Sequence, residues 1–232
     1  GDDFNVYRSL RSVNPSPYLF YFDFVDFKIF GSSPEAHLIV KNKEAEIHPI
    51  AGTYKRTGND EKDAKLAIKL SKDEKENAEH VMLVDLARND LSVYGEEVKV
   101  DTYREVQYFS HVIHLVSKVK ATVKTIENGM KLIGSTFPAG TLSGAPKYKA
   151  LQLIDKYENE NRSFYGGAIG IIGFDGSFNH AIIIRSILSK NNKLMYQAGA
   201  GVVSESNSLN ENQEVFNKIA AIRSAIEKAN KL

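Results

Sequence analysis

The chain contains no cysteine, which excludes disulfide staples and thiolate metal sites and fits a reducing compartment. It also lacks a charge surplus. Thirty Lys and Arg against 29 Asp and Glu leave a formal charge of +1, which argues against nucleic acid or an acidic membrane as a partner. No apolar run approaches the ~20 residues that a membrane-spanning helix needs, and the residues after Gly1 do not read as a cleavable leader. There is no fixed-period repeat and no low-complexity linker. These absences predict a cytoplasmic globular protein. Its 42% hydrophobic and 25% charged residues are enough for a real core. The abrupt start at Gly1-Asp2-Asp3 reads as a cut from a longer chain.

The patterning predicts one domain over residues 1–232, mixed α and β, with strands following one another in hairpin fashion. Aromatic and β-branched runs predict strands at 18–24, 27–31 and 37–41, after the stiff entry Asn14-Pro15-Ser16-Pro17. A turn with exposed amides is expected at 48–53, and helices at 60–70 and 73–90. Strands are expected at 97–100, 103–109 and 111–121, and a short helix at 125–133. The loop STFPAGTLSGAPKYKA runs into a helix at 146–157. Three more strands (163–174, 180–189 and 194–203) and a terminal amphipathic helix close the chain.

Two acidic pairs stand out. Glu76 and Glu79 are at i,i+3 where a polar segment turns apolar, and Glu211 and Glu214 repeat the spacing before Val215, Ile219, Ile222 and Ile226. Two readings stand: both pairs serve one hard divalent cation, Mg²⁺ by ligand type, or both are acidic first turns favoured by the helix dipole. The loop PAGTLSGAPK lacks the Gly-Lys-Ser/Thr ending of a phosphate loop. It still offers amides and the Thr141 and Ser143 hydroxyls to a carboxylate. Gly199-Ala200-Gly201 marks a second place where backbone can approach a ligand. Arg185, among isoleucines, needs either a structural carboxylate or an anionic ligand. His114, with Val112, Val116 and Lys118 on one strand face, is either a hydrogen-bonded core histidine or a catalyst.

The segments HPIAGT, DEKENAEHVMLVDLARNDL, SHVIHLVS, PAGTLSGAPK, YGGAIG, AIIIRS, QAGAGVV and EVFNK, in this order, resemble the chorismate-utilising enzymes. Within that family they resemble the large, component I subunits of anthranilate synthase. The resemblance implies an α+β fold of antiparallel sheets forming a sandwich with outer helices, here a truncated version lacking its amino-terminal portion. It implies Mg²⁺-dependent conversion of chorismate and ammonia to anthranilate and pyruvate in tryptophan biosynthesis, with a glutamine amidotransferase partner supplying the ammonia. By resemblance, Glu79 and Glu214 are direct metal ligands and Glu76 and Glu211 hold the metal's waters. Glu35 in GSSPE is the general acid, and His114 serves the elimination. Tyr165, Arg185, Gly199, Ala200, Gly201 and Lys218 contact substrate carboxylates, with Gly52, Thr53 and Thr141 lining the ring. Asn14, Pro15, Ser16, Pro17, Tyr18 and Leu19 are a remnant of the tryptophan feedback site.

The sequence departs from the family pattern in several places. The residue that guides the incoming nucleophile falls before Gly1 by spacing, the segment after Gly52 reads Tyr54-Lys55-Arg56-Thr57-Gly58, and the acidic-serine pair is Glu205-Ser206. Rival readings are aminodeoxychorismate synthase, isochorismate synthase, or a domain that binds metal or chorismate without turnover. Ala51 weighs against the first, because that branch carries a nucleophilic lysine at this position.

Overall fold

The structure is a computed structural model that describes residues 1–109, 112–204 and 206–231. Ser110 and His111 of the SHVIHLVS segment, and Glu205 of the Glu205-Ser206 pair, lie outside the described residues. The helices are α1 (Asp3–Val13), α2 (Asp60–Lys72), α3 (Glu74–Ser92), α4 (Ile126–Thr136), α5 (Lys147–Tyr157) and α6 (Ser208–Ala229). The strands are β1 (Tyr18–Asp23), β2 (Lys28–Ser33), β3 (Ala36–Lys41), β4 (Glu44–Ile47), β5 (Ile50–Lys55), β6 (Glu96–Tyr108) and β7 (Val112–Thr122). They continue with β8 (Ala168–Ile172), β9 (Phe178–Ile182), β10 (Ser186–Lys190) and β11 (Lys193–Met195). This is the α+β class with antiparallel sheets that the sequence implied. No described helix is long and apolar enough to cross a membrane.

The chain divides into two compact units. One comprises Gly1–Ala36, Tyr157–Ile169 and Ala181–Leu232. Its antiparallel sheet runs β1-β2-β10-β11. Phe30 and Ile187, both fully buried, pack there with Val6 and Leu10 of α1 and Ile222 and Ala225 of α6. Helix α1 was not anticipated from the sequence, although its signals are present. Asp2 caps it by accepting the Phe4 amide at 3.0 Å, and Val6 and Leu10 recur at i,i+4.

The other unit comprises His37–Lys156 and Gly170–His180. Its strands belong to a sheet of order β5-β7-β4-β3-β9-β8, with β6 also on β7. β4 and β5 lie one after the other along β7, pairing with 119–122 and 112–116 respectively. Alternation on β7 buries Ile113, Leu115, Ser117, Val119 and Ala121, which leaves His114 half-buried on the opposite face. Val84, Ala87 and Leu91 of α3 join Leu38, Val119, Leu132 and Phe178 in the main core.

Several boundaries differ from the sequence expectation. Residues 48–53 do not turn the chain. Gly52, at φ +75°, makes a bulge inside β5 opposite β7, so its freedom goes into a kink in a continuing strand. The two strands expected at 97–100 and 103–109 are one strand, β6, with three register shifts. The run 180–189 breaks into β9 and β10, and Arg185 sits at the break with φ +50°. Strand alternation, by which the sequence would put Arg185 on the face of Ile183 and Ile187, therefore does not hold there. Of the last expected strand, 194–203, only Leu194 and Met195 are in a sheet, as part of β11; Gly199 and Gly201 farther on add no side chain to pack.

After β5, Asp63 accepts Arg56 Nε at 2.8 Å, the Thr57 amide at 2.7 Å and the Thr57 hydroxyl at 2.8 Å, with its carboxylate almost fully covered. These bonds hold its pKa at about 2, below the usual 3.8, Arg56 contributing most. The folded pKa is depressed, so the contribution is present above the unfolded pKa and is lost as pH falls from 3.8 toward 2. Asp63→Ala is expected to lower the urea midpoint at pH 7 well beyond the exposed control Lys65→Ala, because it takes the acceptor from Arg56 Nε and from the Thr57 amide.

Candidate functional site

In the unit built on β5 and β7, three elements meet at Thr53. Asp73 caps α3, its Oδ1 accepting the Glu76 amide at 3.1 Å, and Tyr54 donates its hydroxyl to Oδ2 at 2.9 Å. Glu76 is then the third helical residue, the position from which a capping-box glutamate reaches back to the cap. It turns to β5 instead, and its Oε2 accepts the Thr53 N–H at 3.3 Å. A Cβ on Gly52 would meet Glu76 Oε2, Leu115 and Leu70 at 3.3 Å each, so the bulge is closed around that carboxylate. Thr53 Oγ1 lies 3.0 Å from His114 Nδ1, and the Gly52 carbonyl lies 3.2 Å from the same nitrogen. A carbonyl only accepts, so the Nδ1 hydrogen points there and the lone pair of the neutral ring is on Nε2.

Glu76 is half-buried. Burial, and then the neighbouring charge of Glu79, push its pKa up. Two close, partly desolvated carboxylates form a donor set suited to a hard divalent cation, whose charge would relieve both effects. Among the described residues no group of three or more His, Cys, Asp or Glu gathers as a ready metal cage. A cation here would therefore complete its shell with water or ligand oxygens, as Mg²⁺ commonly does. Thr141, expected to line a ring, is exposed in the 3-10 turn Gly140–Leu142, which lies against Leu86 of α3. Lys147 anchors that loop by donating to Asp90 Oδ2 at 2.7 Å and to the Thr136 carbonyl at 3.1 Å.

The other unit collects most of the residues expected to grip carboxylates. Lys218 Nζ lies 2.6 Å from Glu214 and donates to the Gly199 carbonyl at 2.9 Å. The Gly199 amide faces the Tyr165 oxygen, and burial raises the Tyr165 pKa. Glu35 is close enough for its charge to bear on both Tyr165 and Arg185. Burial pulls the Arg185 pKa down, with Glu35 opposing. Within this unit, among the described residues, no carboxylate is in ion-pair contact with that guanidinium. Glu211 accepts the Ser206 hydroxyl at 2.7 Å. The pair Glu211 and Glu214 lies at the end of the first turn of α6 and beyond, since the helix already starts at Ser208 with Asn207 as its cap. Ala200 and Gly201 continue the irregular segment after Gly199.

The segment Asn14-Pro15-Ser16-Pro17 is pinned to β2. The Asn14 side chain donates to the Ser32 carbonyl at 3.5 Å, and Ser32 Oγ donates to the Asn14 carbonyl. Tyr18 and Leu19 open β1 opposite Ser33 and Ser32.

Sequence reasoning missed two supports. Arg162 sits over the Tyr165 ring at 5.8 Å and is gripped by Glu158 through Nε at 3.0 Å and Nη2 at 2.6 Å. The i,i+4 spacing of Glu158 and Arg162 was the signal for this pair. His80, fully buried directly after Glu79, is held near pKa 4 by burial and then by the Arg104 charge.

The sequence profile of chorismate binding enzymes matches residues 1–224. Anthranilate synthase component 1 from Bacillus pumilus is 49% identical over 228 residues, 97% of this chain but 44% of that protein. The crystal structure of anthranilate synthase component I from Streptococcus pneumoniae superposes with a TM-score of 0.86 at 43% identity, covering 96% of this chain and 50% of that one. The menaquinone-specific isochorismate synthase from Escherichia coli also superposes at 0.86, with 25% identity, covering 95% of this chain and 51% of that one. This chain therefore spans about half the length of the relatives it matches.

Proposed function

The chain belongs to the chorismate binding enzyme family, and from that premise we propose that it carries the catalytic part of an anthranilate-forming chorismate lyase of tryptophan biosynthesis. The observation that supports this reading best is the pair of bonds at Thr53. One residue holds Glu76 by its amide and meets His114 by its hydroxyl, so a cation-binding carboxylate and a base take their places from the same bulge. The proposed substrates are chorismate and ammonia, the ammonia delivered by a glutamine amidotransferase subunit, and the products are anthranilate and pyruvate.

In the unit built on β5 and β7, Glu79 is proposed as a direct Mg²⁺ ligand and Glu76 as a holder of the metal's waters; in the other unit, Glu214 and Glu211 are proposed for the same two roles. When bound, the metal neutralises the substrate's ring carboxylate and eases loss of the hydroxyl. Arg185, Tyr165, Lys218 and the backbone of Gly199–Gly201 bind and orient carboxylates. Glu35 carries the proton for the departing hydroxyl. His114, with its hydrogen committed to Gly52 O, takes a ring proton on Nε2 as the product becomes aromatic. Gly52, Thr53 and Thr141 line the ring.

The test is anthranilate fluorescence with chorismate, Mg²⁺ and ammonium. Appearance of anthranilate with stoichiometric pyruvate is expected. Isochorismate or aminodeoxychorismate as the sole product would move the chain to another branch of the family. Saturable stabilisation by chorismate without product would make it a binding domain.

A further inference from the structure

We infer that His80 is a positioning residue. It locks the acidic start of α3 against the strand that carries His114 and sets the β5 bulge between them. This rests on the reading above, in which Glu76, Glu79 and His114 act on ligand. His80 follows Glu79 directly and lies one helical turn after Glu76, yet it is fully buried. Its Nε2 is 2.6 Å from Ser117 Oγ, also fully buried, on β7 three residues beyond His114.

Ser117 Oγ in turn accepts the Arg104 amide at 2.9 Å. That amide is turned out of the ladder by the positive φ of Arg104, where β6 shifts register. The serine hydrogen has no other acceptor among the described residues, so it goes to His80 Nε2, and the neutral ring carries its own hydrogen on Nδ1. Nδ1 makes no hydrogen bond of good geometry, and the acceptor bearing on the ring is the Ala51 carbonyl. Ala51 is the residue before Gly52 and Thr53, whose carbonyl and amide hold His114 and Glu76. One imidazole thus touches α3, β7 and the approach to the bulge, and through Ser117 it also reaches β6.

A histidine that only filled core volume would be replaceable by any side chain that kept the fold. The test compares His80→Leu, His80→Gln and the core variant Leu132→Ala, the last chosen to match the loss in melting temperature. Amide exchange is read at Gly52 and Thr53. Turnover is read with kcat and KM separated, in the chain joined to or mixed with whatever partner the assay above requires. His80→Leu is expected to speed exchange at those two amides about tenfold beyond the matched control. It should lower kcat about a hundredfold, the scale of an ångström-sized misplacement. His80→Gln, which keeps an acceptor and a donor, should recover part of both. If His80→Leu behaves like Leu132→Ala in both readouts, the inference is overturned. Should the wild type turn over no chorismate, the exchange measurement decides His80 alone, and the proposed function fails separately. If His80→Leu does not fold, exchange in His80→Gln decides instead. A rate there matching the control would overturn the inference, and faster exchange would support it.

Discussion

Replacing Arg185 with methionine is expected to make the protein more stable and unable to hold chorismate. The guanidinium sits where burial penalises its charge, and within its unit the described residues offer only the Coulombic influence of Glu35 and no carboxylate in ion-pair contact. A desolvated cation without such a partner costs the folded state, and an apolar side chain of similar length removes that cost, a gain of about 1 kcal/mol. The same exposed deficit is what an anionic ligand would fill. Charge-assisted, two-pronged bonds to a carboxylate contribute about 3 kcal/mol, or more than a hundredfold in affinity. Arg185→Met should therefore raise the melting temperature of the free protein by a few degrees, on the scale of ~1 kcal/mol for a chain this long. It should also abolish saturable chorismate binding in calorimetry. Arg185→Lys should restore little, since an ammonium lacks the planar fork. A less stable Arg185→Met with unchanged affinity would assign the guanidinium to a structural partnership with Glu35.

Stability should fall steeply between neutral pH and pH 4, driven by histidines buried in neutral form. His37 is nearly fully buried, with Nε2 3.2 Å from Thr136 Oγ1 and Nδ1 unpartnered. Burial, and then the charges of His180 and Lys147, hold its pKa at about 4 against the usual 6.5. The His180 ring lies parallel to it at 6.3 Å, and its own pKa is lowered by burial. The folded pKa is depressed, so between pH 6.5 and 4 the unfolded chain binds the extra proton. The neutral ring's contribution is complete above 6.5 and is lost as pH falls toward 4. A shift of this size corresponds to about 3 kcal/mol for His37 alone. That is a large share of the ~5–15 kcal/mol that holds a typical domain folded. Urea midpoints for wild type and His37→Gln should differ little at pH 7.5 and separate as pH falls toward 5, wild type losing more, since glutamine has no proton to take up. Parallel pH curves for the two proteins would refute the assignment. His80 adds to the slope with the same sign.

The residues determined a good deal by themselves. Alternation in β7 put His114 on one face with Val112 and Lys118, and the change from polar to apolar residues along 73–90 marked α3, because both signals are local. The i,i+3 glutamates of α3 and α6 were legible for the same reason. The ordered motifs pointed to the family whose profile matches residues 1–224.

Only the tertiary structure could decide what the special backbone positions do. Gly52 could turn the chain or bulge a strand, and pairing with β7 made it a bulge whose next amide binds Glu76. Arg185 looked like one member of an alternating strand until two sheets claimed β9 and β10 separately and left it between them at φ +50°. His80 was marked by no local pattern. Its partners Ser117 and Arg104 lie 37 and 24 residues away on strands whose contact with α3 no local pattern records. Periodicity carries information over a few residues, whereas hydrogen-bond partners and burial are set by which distant segments pack together. The elements could therefore be read along the chain, and the groups that hold one another in place could be read only across it.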